Sequence, residues 1–166
     1  MYSNRMSERE TVKLRIPDTG NSWRRWAGNF LAWPRYGMHA VWRAEARRWA
    51  HKIAERCPRE VELVGHSRGG VVAVYTAIYL SEHLRHTLIT LRITGPPRAW
   101  FGRRWATHYE RYLSLISVDC VAAFGDPVLW LPPFWRTLES LRMVGPYRRV
   151  YPRAHYPDYI SKWDNK

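Results

Sequence analysis

The apolar positions of this chain alternate between a short period and a long one. TVKLRI at 11–16 alternates polar and apolar residues as a half-buried strand does, and PDTGNS behind it carries turn chemistry, so a strand followed by a loop is expected. From His39 to Cys57 the apolar set Trp42, Ala46, Trp49, Ile53 and Cys57 recurs every three or four residues, with Arg43, Arg47, Arg48 and Lys52 between them. That is the stripe of an amphipathic helix, and Pro58 ends it. VELVG at 61–65 reads as a second strand, residues 68 to about 85 as a mostly apolar helix, and LITLRITG at 88–95 as a third strand. WFGRRWATHYERY reads as a less regular piece, LSLISVDCVAAF offers a fourth strand, and YRRVYP at 147–152 a short fifth. Strand and helix alternate, which favours an α/β fold with a mostly parallel sheet flanked by helices. No repeat, low-complexity tract or linker interrupts the 166 residues, so a single domain spanning 1–166 is expected.

Composition narrows this picture. With 46% apolar residues the chain can bury a core. Its longest apolar run, VVAVYTAIYL at 71–80, falls short of the roughly 18 residues that span a bilayer and reads as a buried helix. The polar N-terminus lacks the apolar centre of a signal peptide, so a cytoplasmic location is expected. Cys57 and Cys120 are too few for a disulfide framework and have no metal-ligand spacing, and they are expected as free, mostly buried thiols. His83 and His86 have no third ligand nearby and read as solvated helix-end residues, so neither a metal nor another cofactor is expected. The 27 Lys and Arg against 14 Asp and Glu leave a net charge of +13, which attracts acidic surfaces without naming one. No nucleic-acid-binding module is recognisable, and no specific nucleic-acid partner is expected.

The stretch VELVGHSRGG at 61–70 changes the picture most. Ser67 stands between Gly65 and Gly69 at a junction of predicted strand and predicted helix. A nucleophilic serine needs such a place, where the turn is strained, its neighbours are small and the helix dipole favours an oxyanion. The alternative is a structural glycine turn. His66 is expected to diverge from the serine and to serve packing. In the strand–serine–helix arrangement the acid and then the histidine follow in the chain. Asp126, in a Gly-Asp-Pro turn at a strand end, is the first candidate acid, with Asp119 inside the strand second; a plain Asp-Pro turn is the competing role for Asp126. His155, in YPRAHYPD after the last predicted strand, has the position for the base that His83 and His86 lack.

Four segments carry a resemblance. GHSRGG at 65–70, TGPPR at 94–98, GDPVLWLPP at 125–133 and AHY at 154–156, in this order, resemble the class 3 (fungal-type) lipases of the α/β-hydrolase superfamily, from about residue 11 onward. The resemblance implies a minimal α/β-hydrolase core and a catalytic triad of Ser67, Asp126 and His155. It also implies an oxyanion-hole residue after the first strand. IPDTGNSWRRWAGN stands there, making Thr19 the first donor and the backbone N–H of Arg68 the second, although IPDT departs from the family's FRGT-like text. Arg68 stands where these lipases usually carry leucine, so a charge is expected beside the site. The chain starts almost at the oxyanion strand, and a short lid or none is expected. The implied activity is hydrolysis of carboxylic esters, as a lipase or esterase, through an acyl-enzyme.

Trp130, Phe134 and Trp135, just after the acid, could line an acyl pocket, with Trp23 and Trp26 opposite; plain core packing is an equal alternative. The expected partner is a lipid or other ester substrate, with peripheral contact of the arginine surplus at an anionic membrane. Two rivals stand: a carboxylesterase or thioesterase acting on short or polar acyl groups, and a catalytically inactive basic binding protein on the same scaffold.

Overall fold

A computed structural model describes residues 11–17, 33–146 and 152–164. Strand β1 (Thr11–Ile16) is followed by two short strands, β2 (Pro34–Arg35) and β3 (Met38–His39), and by helix α1 (Ala40–Ala54). Then come β4 (Glu60–His66), α2 (Arg68–His83), β5 (Leu88–Thr94), β6 (Trp100–Phe101), α3 (Arg103–Leu113) and β7 (Ser117–Ala123). A 3-10 turn (Pro127–Trp130), β8 (Trp135–Arg136), β9 (Leu141–Val144), a second 3-10 turn (Pro152–His155) and α4 (Pro157–Asp164) complete the described chain.

Five strands form one sheet in the order β1-β4-β5-β7-β9, and every neighbouring pair is parallel. This is the α/β architecture expected from the alternation of periods. A parallel sheet brings all its carboxyl ends to one edge, so Ser67 after β4, Gly95 after β5 and Asp126 after β7 emerge on the same side of the molecule.

One face of the sheet is covered by helices. Val61, Leu63, Leu91, Ile93 and Cys120 join Trp42, Ala46, Ala50 and Ile53 of α1, the run Val71 to Tyr75 of α2, and Ala106, Tyr109 and Leu113 of α3 in one core. The apolar run at 71–80 is thus a buried helix, as its composition predicts. On the other face Val121, Ala123 and Val144 pack with Ala154 and Ile160, which seats α4 against β7 and β9. Successive residues of β7 therefore serve opposite cores, Cys120 one and Val121 the other. Among the described residues no helix is long and apolar enough to cross a membrane.

Three details depart from the sequence reading. Residues 103–113 are a helix, because Ala106, Tyr109 and Leu113 form a narrow buried stripe that the flanking arginines and exposed aromatic rings conceal. The fifth sheet strand is Leu141–Val144, four residues too short to display a period; of the stretch expected there, 147–151 lie outside the described residues and Pro152 opens a 3-10 turn. Both cysteines are free, but only Cys120 is buried, and burial pushes its thiol up to about 12.

Candidate active site

Ser67 lies between the end of β4 and the first residue of α2, with φ 52° and ψ −131°. A side chain in this left-handed region costs about 1–3 kcal/mol, and it persists only where its surroundings enforce it. Here the Ser67 N–H donates to the Thr94 carbonyl at 2.9 Å, and the Ser67 carbonyl accepts from the Gly70 N–H at 2.9 Å. The glycines are steric requirements of the same turn. A Cβ on Gly65 would lie 2.5 Å from the Gly69 carbonyl oxygen, one on Gly69 would lie 2.6 Å from the Ile16 oxygen, and one on Gly70 would strike the Ile93 side chain. Because Gly65 faces backbone that cannot rotate away, Gly65→Ala is expected to destabilise the fold by about 2–3 kcal/mol, read as a lower urea midpoint. A loss below about 0.5 kcal/mol would show that the turn yields.

Asp126 follows β7 and is fully buried. Its Oδ1 accepts from the Val128 N–H at 2.8 Å, capping the 3-10 turn, and its Oδ2 lies 3.0 Å from Nδ1 of His155. The turn role and the histidine contact weighed as alternatives are thus both occupied, one by each carboxylate oxygen. Asp119, the second-choice acid, sits on β7, exposed and 3.7 Å from Arg142.

His155 reaches the elbow through two neighbours. Gly95, at φ 53°, lies beneath the pair: a Cβ there would come 3.2 Å from His155 Nδ1 and 3.3 Å from Asp126 Oδ2. The His66 ring packs against the His155 ring with centroids 4.7 Å apart, and His66 Nδ1 lies 3.1 Å from the Thr94 hydroxyl. The structure thus brings Asp126 and His155 into direct contact and packs His155 against His66, the residue before Ser67, and over Gly95. Among the described residues no hydrogen bond joins Ser67 to His155, a looseness that unliganded sites commonly show. Gly95 is a neighbour of the site that the sequence reading did not include, and His66, expected to serve packing, packs against the His155 ring. The positions are visible in GHS and TGPPR, but their contact depends on β4 and β5 being adjacent.

Arg68 opens α2, where first-turn amides have no partner within their own helix. Its side chain does not place a free charge beside the serine. It is 8% exposed, and its guanidinium meets Glu45 of α1 at 2.5 Å and donates to the Pro17 carbonyl at 3.2 Å. The charge is matched by Glu45, and the same contacts tie the end of β1 to the start of α2.

The proposed pocket residues separate. Trp130 is 63% exposed, with the Arg98 guanidinium 5.5 Å from its ring centroid, and Phe134 is 90% exposed. Trp135 is buried, packed against Phe101 and His39. Thr19, Trp23 and Trp26 lie outside the described residues.

This geometry can be set beside known proteins. Residues 21–98 match the Mbeg1-like family. That family is lipase-like, in keeping with the resemblance to class 3 lipases that the motifs carry. The matched stretch contains GHSRGG and TGPPR, while the acid loop and His155 lie beyond it. No curated protein matches. Among solved structures the chain is similar to the lipase of Rhizopus microsporus var. chinensis, at 18% identity over 58% of this chain and 36% of that one, with a TM-score of 0.47. It is also similar to lipase II of Rhizopus niveus, at 18% identity over 58% and 39%, with a TM-score of 0.49. The Rhizomucor miehei lipase in its propeptide complex gives 20% identity over 54% and 29%, with a TM-score of 0.39. The chain spans well under half the length of these lipases.

Proposed function

We propose that the chain is a serine hydrolase of carboxylic esters, with Ser67 as nucleophile, His155 as general base and Asp126 as the group that orients it. The observation that carries this reading is Ser67 held at φ 52° on a strand-to-helix turn, with an Asp126–His155 hydrogen-bonded pair whose imidazole packs against the ring of His66, the residue before the serine. Asp126 accepts the Nδ1 proton of His155 and leaves Nε2 free to take the Ser67 hydroxyl proton. Ser67 Oγ then attacks the ester carbonyl. The oxyanion is stabilised by the amide of Arg68 at the head of α2 and by that of Thr19. His155 returns its proton to the departing alcohol, and water repeats the sequence on the acyl-enzyme.

The exposed Trp130 and Phe134 flank the acid loop and offer apolar surface to an acyl chain, which favours a lipid-like ester over a small polar one. Comparing rates across p-nitrophenyl esters of increasing chain length measures that preference.

The test is labelling of purified protein by a fluorophosphonate probe, with Ser67→Ala and His155→Ala alongside. The parent alone is expected to label. A folded parent that stays unlabelled would remove the activated serine and favour a binding protein on this scaffold.

A further inference from the structure

Two hollows, of 440 and 320 Å³, open beside α1 and α2 and share Arg43, Arg47, Tyr79 and Glu82 as walls. Arg43 and Arg47 stand one turn apart on α1, so they face the same side. Tyr79 is twelve residues beyond Ser67 in the chain, on the order of 18 Å down α2 at 1.5 Å per residue, so these hollows do not belong to the catalytic edge.

What holds the arginines there is aromatic rather than acidic. The Arg43 guanidinium lies 4.8 Å from the Tyr36 ring centroid and 5.8 Å from that of Tyr79, Arg47 lies 5.9 Å from Tyr79, and Arg35 lies 5.8 Å from Tyr36. Among the described residues none of these three arginines forms a salt bridge. The chain spends its carboxylates elsewhere: Glu45 on Arg68, Glu62 on Lys13 and Arg92, and Asp119 and Asp164 on Arg142.

A guanidinium held over a ring is ordered without a carboxylate clamp, and Arg43, which shares a hydrogen bond with the Tyr79 side chain, keeps its remaining N–H groups available. Two like charges one turn apart repel each other, a cost that a bound anion would remove. The aromatic wall also supplies one donor. Burial raises the Tyr79 hydroxyl above its ordinary value, so it remains protonated at neutral pH, whereas the Tyr109 hydroxyl already donates to the Tyr36 carbonyl at 2.9 Å. Glu82 is the one carboxylate lining the hollows, and it opposes any anion held there. His51 and His83 line the first hollow and His108 the second.

We propose that Arg43 and Arg47, with the Tyr79 hydroxyl, form a binding site for a phosphate ester group. Two guanidinium forks offer more donors than the two oxygens of a carboxylate can accept, whereas a phosphate presents three or four oxygens in several directions. The group is carried either by a soluble phosphate ester or by a lipid headgroup, and both present the same chemistry to the arginines.

The experiment titrates the full chain with glycerol 3-phosphate by calorimetry. In parallel it measures sedimentation with vesicles of phosphatidylcholine alone and of phosphatidylcholine mixed with phosphatidic acid. Three variants are compared with the parent: Arg43→Gln/Arg47→Gln, Glu82→Gln, and a control, Arg103→Gln/Arg104→Gln, which removes the same charge from exposed positions of α3. Circular dichroism verifies that each is folded. The groove variant is expected to lose at least tenfold in affinity, Glu82→Gln to gain a few-fold, and the control to bind like the parent. Binding of glycerol 3-phosphate identifies the soluble source, and binding confined to the acidic vesicles identifies the lipid. Equal losses in the groove and control variants would reduce the effect to net charge and overturn the site, as would an absence of binding to all probes.

Discussion

Ser67→Ala is expected to lower kcat for ester hydrolysis by about 10⁴-fold or more, because removing the proposed nucleophile leaves only binding and oxyanion stabilisation to act on the substrate. The companion change Ser67→Gly makes the result more than a loss of function. The serine sits at φ 52° and ψ −131°, a region that glycine enters freely and that costs any other residue about 1–3 kcal/mol. Glycine adds freedom to the unfolded chain, an opposing effect of about 0.4–1 kcal/mol. The strain is the larger quantity, so Ser67→Gly is expected to be inactive yet more stable than the parent by about 1 kcal/mol, a rise of roughly 2–4 °C in Tm for a chain of this size. An inactive variant of raised stability marks a residue kept for chemistry at the expense of the fold. Retained turnover in Ser67→Ala would remove the serine from the mechanism, and a lower Tm for Ser67→Gly would show that the elbow is not strained.

The parts legible in the sequence are those whose physics is local. Ser67 could be read because Gly65, Gly69 and Gly70 are imposed by contacts within one turn, and a steric requirement of that kind is written in adjacent residues. Strands β4, β5 and β7 could be read because each buries alternate or continuous apolar residues over seven positions. Asp126 followed from its place at a strand end, but its hydrogen bond to His155 spans 29 residues and had to be inferred from order along the chain. What depends on neighbours distant in sequence stayed hidden. Arg68 reads as a charge beside a serine until Glu45, 23 residues earlier, is seen to meet it. Tyr36, Arg43 and Tyr79 share a groove only because α1 packs along α2. Helix α3 shows the converse: its period is local, but three buried positions among arginines and rings give too weak a stripe.

Asp126→Asn separates the two tasks of the buried acid. Oδ1 caps the 3-10 turn by accepting from the Val128 N–H, and an asparagine oxygen in that place accepts equally well. At the other position the carboxylate oxygen facing His155 Nδ1 at 3.0 Å becomes an amide group that can only donate. The imidazole must then present a lone pair at Nδ1 and carry its proton on Nε2, which is the wrong tautomer for removing a proton from Ser67. A fall of about 10⁴-fold in kcat is expected at neutral pH, with KM nearly unchanged and the Tm close to the parent's. Asp126→Ala removes both contacts. It leaves the Val128 N–H buried without its acceptor, so it is expected to lose stability as well, by about 1–3 kcal/mol. If Asn and Ala were equally inactive and equally destabilised, Asp126 would act through the turn alone. If Asn kept parental activity, the histidine would be oriented by another group, and the tilted ring of His66 together with the Gly95 backbone would be the contacts left to do it.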